Sequence, residues 1–332
     1  MISETFKNFV DRYSQFLLTT HETPDGDAIG SEMAMYHFLK NRGKTVRVLN
    51  ADPYPHKYRY LDTGNVVETL DPDYEYKKEE LAQYGLIILD INDINNIGQI
   101  STRILPFVDN HIIIDHHEHI GLKASGNVLE EDASSTCEIL FKLFKNLDYK
   151  CSLECAKALF TGIIYDTGCF IYPKTTALTY QIARELTETG VYPNEIYSYV
   201  YESNSITSLK LQAKVLATLE LFFDQQVAVQ TMLKETIIEA EASYEEADTI
   251  INFPLRSEQV KISVFFKENL EGLLRCSLRS KGKINVSEIA QRFGGGGHKT
   301  AAGFKSKFPL AVIKEKILTI LKDTLEKTDS SD

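Results

Sequence analysis

The sequence predicts an α/β protein: a doubly wound domain on a parallel sheet, then a smaller α+β domain, joined by a helical connector. Three observations lead there. The Ile- and Leu-rich runs LIILD (86–90) and HIIID (111–115) read as strands buried on both faces, as in parallel sheets. Helical patterns alternate with such runs through the first half, which crossover units require. Past residue 224 the order changes to the strands VAVQTML, VKISVFF and LLRCSLRS, with helices expected at 235–247, 286–293 and 309–326. The expected divisions are 1–193, 194–223 for the connector, and 224–332.

Taken in order, residues 3–14 fit a short amphipathic helix and FLLTT (16–20) a buried strand. AIGSEMAMYHFLKNRG (28–43) fits a helix with Gly43 just past its C-cap. TVRVLN (45–50) is a strand. Ser135 to Glu138 spells a capping box in front of ILFKLF. Ser152 caps LECAKALFTGIIYD, and Thr176 to Thr189 is a further helix with Gly190 after it. The polar stretch 194–223 reads as helices broken at SNSITS (203–208).

The chain has 332 residues, 43% hydrophobic and 25% charged, which is enough for two cores. No apolar run reaches the ~18 residues of a membrane span. MISETFKNFVDRYSQF lacks the basic start and apolar core of a signal peptide. Five cysteines, none in a CxxC pair, fit reduced thiols in a cytoplasm and speak against a cysteine-bound zinc. A net charge of −11 disfavours long nucleic acid. The charge is uneven, however. Arg256 to Lys307 holds eleven Lys or Arg against four Asp or Glu, a local +7, so the remainder carries −18. Such a division suits a small anionic substrate, gripped by one part while the other holds cations.

Three predicted strands run into metal-ligand residue types: FLLTT into His21, LIIL into Asp90, and HIII into Asp115-His116-His117. Ligands of open α/β sheets bind beyond the carboxyl ends of the strands. These groups should therefore converge on one sheet edge. Asp25 and Asp27, two apart around Gly26, would point the same way in an extended segment. Asp166, followed by Thr167 and Gly168, is a further candidate at a helix end. Carboxylates packed so closely repel by ~4 kcal/mol per pair at 4 Å and an effective dielectric of 20. They must bind protons or metal, and with imidazoles alongside, two divalent cations are the natural solution. The oxygen-rich set with some histidine suits Mn²⁺ better than Zn²⁺, and Mg²⁺ usually avoids imidazole.

The second constellation is RFGGGGHKTAAGF (292–304). Four glycines let successive N–H groups face one anion. His298-Lys-Thr-Ala-Ala after them reads as a helix start, which also favours anions. Arg279 and Lys281 on the preceding turn add positive charge.

Together, His21-Glu-Thr-Pro-Asp25-Gly-Asp27, Asp90, Asp115-His116-His117 and Asp166-Thr-Gly168 resemble the ordered motifs of the DHH phosphoesterase superfamily. FGGGGHKTAAGF resembles the signature of its DHHA1 domain. Length and domain pair resemble the stand-alone bacterial oligoribonuclease/pAp phosphatase group. The RecJ exonucleases add further domains, and family II pyrophosphatases lack the GGGGH domain. The resemblance implies that His21 and Asp25 hold one metal and that Asp27, His116 and Asp166 hold the other, with Asp90 bridging. Mn²⁺ is the usual ion, with Co²⁺ and Mg²⁺ as alternatives. It implies in-line attack of water on phosphorus, with His117 at the scissile phosphate or the leaving oxygen and Asp115 orienting a histidine. It further implies that Arg279, Gly295, Gly296, Gly297 and His298 bind the far end of a substrate of two to a few nucleotides, the gap between the domains acting as a ruler. The implied substrates are short RNA, linear dinucleotides such as pApA, and 3′-phosphoadenosine 5′-phosphate. No membrane is involved, and a homodimer is a reasonable state. The alternatives are opening of cyclic di-AMP and, from another class, a non-catalytic nucleotide sensor. Two positions depart from the family pattern: Asn96 where an arginine is common, and Ile120 where an asparagine is.

Overall fold

The computed structural model describes residues 2–91, 93–117, 126–282 and 284–329, without the side chains of Ile2, Ser3, His298, Thr328 and Asp329. Two units emerge, Met1–Ser203 and Asn204–Asp332. The first runs α1 (Ile2–Arg12), β1 (Gln15–Thr19), α2 (Gly26–Asn41), β2 (Thr45–Asn50), β3 (Val67–Thr69), α3 (Lys78–Leu81), β4 (Tyr84–Leu89), α4 (Ile100–Arg103), β5 (Asn110–Asp115), β6 (Val128–Leu129), α5 (Thr136–Asn146), α6 (Leu153–Asp166), α7 (Ala177–Glu188) and α8 (Pro193–Tyr201).

Its strands pair in parallel in the order β3-β2-β1-β4-β5-β6. The period of two sorts the side chains. Phe16 and Leu18 of β1, with Ile87 and Leu89 of β4, pack against Phe6, Ile29, Phe38, Phe144 and Leu159 from the long helices. Leu17, Leu86 and Ile88 face the opposite way, onto Leu81, Ile97, Ile100 and Ile104. Helices on both faces make the sheet doubly wound. The strand order reverses between β1 and β4, the place where such folds put their ligands.

Helix α2 begins two residues earlier than the sequence pattern suggests, because Asp25 is its N-cap: Oδ1 accepts from the N–H of Asp27 (3.0 Å) and Ala28 (3.1 Å). The segment is therefore not extended, and Asp25 and Asp27 are set by a helix start rather than by strand alternation. Gly26 owes its place to Tyr165, since a Cβ there would lie 2.6 Å from the ring Cγ. Farther along, α2 crosses α6 at glycines. A Cβ on Gly30 would meet the Ala158 carbonyl oxygen at 2.6 Å. A Cβ on Gly162 would lie 2.3 Å from Asp27 Oδ1 and 2.4 Å from Cys137 Sγ. The Phe38 ring stacks on Phe144 at 4.3 Å and ties α2 to α5.

Ser135 caps α5 by accepting from the N–H of Glu138 (3.0 Å), but the expected capping box is only half made. The Glu138 carboxylate instead accepts from the hydroxyls of Ser134 (2.6 Å) and Thr179 (2.8 Å), which joins α5 to the start of α7. The reciprocal box sits at α7, between Thr176 and Thr179.

The second unit runs α9 (Ile206–Leu216), β7 (Glu220–Phe222), β8 (Val227–Met232), α10 (Lys234–Ala240), β9 (Ile262–Glu268), β10 (Leu274–Ser280), α11 (Val286–Gln291), β11 (Gly296–His298), β12 (Ala301–Lys305) and α12 (Leu310–Asp329). The stretch 194–223 thus divides: α8 lies in the first unit, where the Tyr201 hydroxyl donates to the Ile164 carbonyl at 2.8 Å, and α9 and β7 lie in the second. The sheet order is β11-β12-β10-β9-β8-β7, with β8 and β9 parallel and the other pairs antiparallel. Ile313, Ile317, Leu321 and Leu325 of α12 cover one face, and Leu211, Val215 and Ile237 cover part of the other. Helix α10 stops at Ala240, short of the expected 247, where Glu241 turns left-handed at φ 55°.

The helix expected after the glycine run is instead a hairpin. Ala302 and Phe304 alternate into the core with Cys276 and Leu278, and that period of two commits 301–305 to the sheet.

Adding one methyl at Gly162 should be costly because the buried Asp27 carboxylate and the Cys137 side chain both stand in its way. Gly162→Ala is expected to lose about 1–3 kcal/mol of stability. The readout is a lower denaturant midpoint with an unchanged slope. An unchanged midpoint would show that the crossing can relax.

Candidate metal centre

Each side chain of the centre is placed by the end of a regular element. His21 follows β1, and its Nδ1 lies 2.7 Å from the Glu22 carbonyl oxygen, so Nε2 is left for the centre. That nitrogen is 3.9 Å from Asp25 Oδ1 and 3.8 Å from Asp90 Oδ2. Asp90 follows β4 with a left-handed φ of 60°, while its N–H still reaches the Ile114 carbonyl (3.0 Å). Its Oδ1 accepts from the Thr136 hydroxyl at 3.0 Å and lies 3.6 Å from His116 Nε2. The two oxygens of Asp90 therefore address different histidines. Asp27, fully buried, accepts from the N–H of Thr136 (2.6 Å) and Cys137 (3.1 Å) at the start of α5. Asp166 ends α6 with Oδ2 2.9 Å from His116 Nε2.

These atoms form overlapping groups whose ligand atoms lie within 4.8 Å of one another: His21, Asp25 and Asp90; Asp27, His116 and Asp166; and Asp90, His116 and His117. All six residues expected to ligate metal, His21, Asp25, Asp27, Asp90, His116 and Asp166, are thus brought together. Asp115 does otherwise. It is fully buried and accepts from the His117 ring at Nδ1 (2.8 Å) and from the His117 N–H (3.0 Å), so it holds His117 in place.

Burial, and then the neighbouring Asp90 charge, raise the carboxyl pKa values of Asp25 and Asp27; burial, and then Asp166, raise that of Asp90. For His117, burial opposes the charged ring, but the hydrogen bond it donates to Asp115 and the nearby carboxylates outweigh it and bring the ring to about 9. Burial also opposes charge on His116, whose pKa is nonetheless raised by Asp166 and Asp90. The centre is therefore short of positive charge. One atom tests whether a cation fits: His116 Nε2 is buried and makes no hydrogen bond, although Asp166 Oδ2 lies 2.9 Å away. A buried ring nitrogen left open among carboxylate oxygens is a metal-ligand arrangement.

Several neighbours escape sequence reading. Thr136 reads there only as the first residue after a cap. Lys174 donates from Nζ to the His116 carbonyl at 3.1 Å, with no motif to mark it. Glu32, fully buried, accepts from Asn50 Nδ2 at 2.9 Å, and burial pushes its carboxyl up to about 8. Asn50 Oδ1 in turn takes the Thr20 N–H (3.3 Å), beside His21. Asn96 offers its carbonyl to the Glu22 N–H (2.7 Å), which ties down the same loop. Ile120 lies outside the described residues.

The glycine run of the second unit is built differently from the expected cradle. The N–H groups of Gly294 and Gly295 go to the Gln291 and Ala290 carbonyls, each at 3.0 Å, and Gly294 has φ 76°. These are the paired bonds of a Schellman closure of α11. Gly295 then presses on β12, since a Cβ there would lie 2.2 Å from the Gly303 carbonyl oxygen. Gly296 and Gly297 belong to β11, and the backbone of His298 closes that strand. Arg279, half-buried on β10, donates from Nη1 to the Leu278 carbonyl (3.0 Å). Lys281 Nζ is tied to the Ser257 carbonyl at 2.6 Å.

Residues 15–163 match the DHH family, N-terminal domain, and residues 224–327 match the DHHA1 domain. A Streptococcus mutans protein named "probable bifunctional oligoribonuclease and PAP phosphatase NrnA" is 29% identical over 90% of this chain and 91% of its own length. The Thermus thermophilus bifunctional oligoribonuclease and PAP phosphatase NrnA is 28% identical over 93% of this chain and 90% of its own. A cyclic-di-AMP phosphodiesterase PdeA of Listeria monocytogenes is 26% identical over 92% of this chain but only 47% of its own length. Among solved structures, an exopolyphosphatase-related protein from Bacteroides fragilis superposes with a TM-score of 0.89 at 28% identity, covering 98% of this chain and 96% of that one. RecJ of Thermus thermophilus in complex with Mn²⁺ shares the fold at a TM-score of 0.51 and 15% identity, covering 100% of this chain and 54% of that one. The chain belongs to the DHH family, with a DHH N-terminal domain followed by a DHHA1 domain.

Proposed function

We propose that the chain is a metal-dependent phosphoesterase. Its substrates would be very short oligoribonucleotides and linear dinucleotides such as pApA, cleaved to mononucleotides, and 3′-phosphoadenosine 5′-phosphate, cleaved to AMP. The observation that carries this reading is Asp90, whose two oxygens face His21 on one side and His116 on the other. Relatives named for both activities, matched over nine-tenths of their length, support the substrate class.

His21, Asp25 and Asp90 would hold one divalent cation and Asp27, His116 and Asp166 a second, with Asp90 shared. When bound, such cations supply charge stabilisation at phosphate oxygens and lower the pKa of water. Mn²⁺ is the proposed ion, because the donors are oxygens with imidazole and no thiolate. His117 has Nδ1 fixed by Asp115 and keeps a proton near neutral pH, which lets its other nitrogen, Nε2, give a proton to the leaving oxygen. In the second unit Arg279, Gly296, Gly297 and His298 would contact a phosphate, and Gly295 contributes close backbone approach. A cytoplasmic setting fits a nucleotide substrate and five unpaired thiols; no helix among the described residues is long and apolar enough to cross a membrane.

The direct test is product analysis on pApA, a five-nucleotide RNA, 3′-phosphoadenosine 5′-phosphate and cyclic di-AMP with Mn²⁺. Mononucleotides should appear from the first two and AMP from the third. Faster opening of cyclic di-AMP than cleavage of pApA would favour the activity named for the Listeria relative. Binding of all four without turnover would favour a sensor.

The raised carboxyls set a pH dependence. Without metal, the folded chain holds protons on Asp25, Asp27 and Asp90 above the ordinary value of 3.8, so its stability falls as pH rises through the raised values. Cations bind the ionised form. Adding Mn²⁺ to metal-stripped protein should therefore raise the melting midpoint more at about pH 8 than at about pH 5. Equal shifts at both would contradict the shared-charge account.

Asp90→Asn removes the charge with little change of shape, and asparagine tolerates a left-handed φ. This variant should melt higher than the parent when both are metal-free. It should also respond less to Mn²⁺ and turn over about 100-fold slower or worse. His117→Ala should slow turnover by about 10²–10⁴-fold while the Mn²⁺-induced shift in melting persists. Loss of that shift would make His117 a ligand instead.

A further inference from the structure

The second unit carries positive charge that the chain itself does not neutralise. Strand register sets Arg275 of β10 directly opposite Lys305 of β12 on one side and Lys267 of β9 on the other. Side chains paired this way share a face, and like charges directly opposite weaken a sheet. Lys267 is answered within the unit: it is buried, ion-paired to Asp248 and 4.8 Å from the centre of the Tyr244 ring. Arg275 and Lys305 are exposed and make no ion pair among the described residues, nor does Lys307 two positions on.

These three cations border a groove of about 550 Å³. Gly303 and Gly295, both without side chains, are among its lining residues. A second groove of about 260 Å³, with Arg292 added, shares Lys305 and Lys307 with the first. No Asp or Glu lines either one. Arg279, Gly296 and Gly297 do not line them, and Gly295 is shared with the phosphate contact proposed above, so the groove extends beyond that contact.

We propose that this basic groove binds the internucleotide phosphates of an oligoribonucleotide longer than two residues. Arg275 and Lys305 face each other on adjacent strands, with Lys307 and Arg292 lining the same recesses, and four cations match a chain of phosphodiesters better than one phosphate. An unanswered cross-strand pair of cations costs the folded protein stability, and a polyanion removes that cost on binding. The inference rests on the reading of the chain as a hydrolase of short RNA.

The test compares the parent with Arg275→Ala/Lys305→Ala, using fluorescence anisotropy of labelled pApA and of a labelled five-nucleotide RNA. The loss of affinity on the five-mer should be tenfold or more and should exceed the loss on pApA by at least tenfold. The slope of log affinity against log salt should fall by about 1.4 for the five-mer, from two phosphate contacts on a single strand. Arg275→Lys/Lys305→Arg should restore binding, and the alanine pair should melt no lower than the parent. Equal losses on both lengths, or parent protein that binds the five-mer no tighter than pApA, would overturn the proposal. If the five-mer binds through the groove but is not cleaved, the hydrolase reading fails and this one stands. If RNA is cleaved and the double variant binds like the parent, the reverse holds.

Discussion

Mutual repulsion of carboxylates withdrawn from water is the constraint around which the first unit is arranged. Asp27 is fully buried and Asp90 nearly so, with Asp25 against His21 and Asp166 against His116. At 4 Å, each such pair repels by about 4 kcal/mol at an effective dielectric of 20. Neutral donors answer part of this. The start of α2 gives two N–H groups to Asp25, the start of α5 gives two to Asp27, and the Thr136 hydroxyl goes to Asp90. Helix N-termini suit this work because their first N–H groups have no partner within the helix. They leave the net negative charge in place, however, so the site stays unfinished until protons or cations arrive.

The backbone bears a cost for the same end. Asp90 sits at φ 60°, a conformation that strains most residues by about 1–3 kcal/mol and is mildest for Asp and Asn. The turn comes at the last residue of the β4 ladder, where the strand order reverses. From there one side chain can reach His21 after β1 and His116 after β5. A helix end reaches the same spot only because glycines let α2 and α6 come together, which sets Asp27 beside Asp166. Strain at one residue and missing side chains at others thus serve a single convergence of charge.

Much of this could be read from the chain, because strand ends are legible. Apolar runs ending in Asp or His place those residues on one sheet edge whatever their separation in sequence. The parallel sheet and the gathering of His21, Asp90, Asp115, His116 and His117 at one edge follow from that rule, whereas the orienting role of Asp115 is implied only by the resemblance to the DHH superfamily. Elements whose partners lie far off in sequence were harder. Glu138 has the spacing of a capping box, yet its carboxylate goes to Thr179 on another helix. The glycine run has the look of an anion cradle, yet its first two N–H groups close α11. HKTAA (298–302) passes for a helix start until β10 is beside the segment and takes Ala302 and Phe304 into the core. Helix α10 ends at Glu241 with no glycine or proline to announce it. In each case tertiary partners override a local preference of about 1 kcal/mol or less.

The two units share a logic of opposite sign. The first gathers carboxylates and the second aligns cations across neighbouring strands. Among the described residues neither unit supplies counter-charges that would complete the pairing, although Lys267 with Asp248 shows that the chain can. Folding alone would favour neutral side chains at these positions, since unanswered like charges reduce stability. Under the proposed function, ligands account for these charges: divalent cations for the acidic centre, and for the basic groove an anion carrying several phosphates. A phosphodiester chain meets both needs, because its phosphates can contact the basic row and are also the groups whose oxygens a cation pair can stabilise.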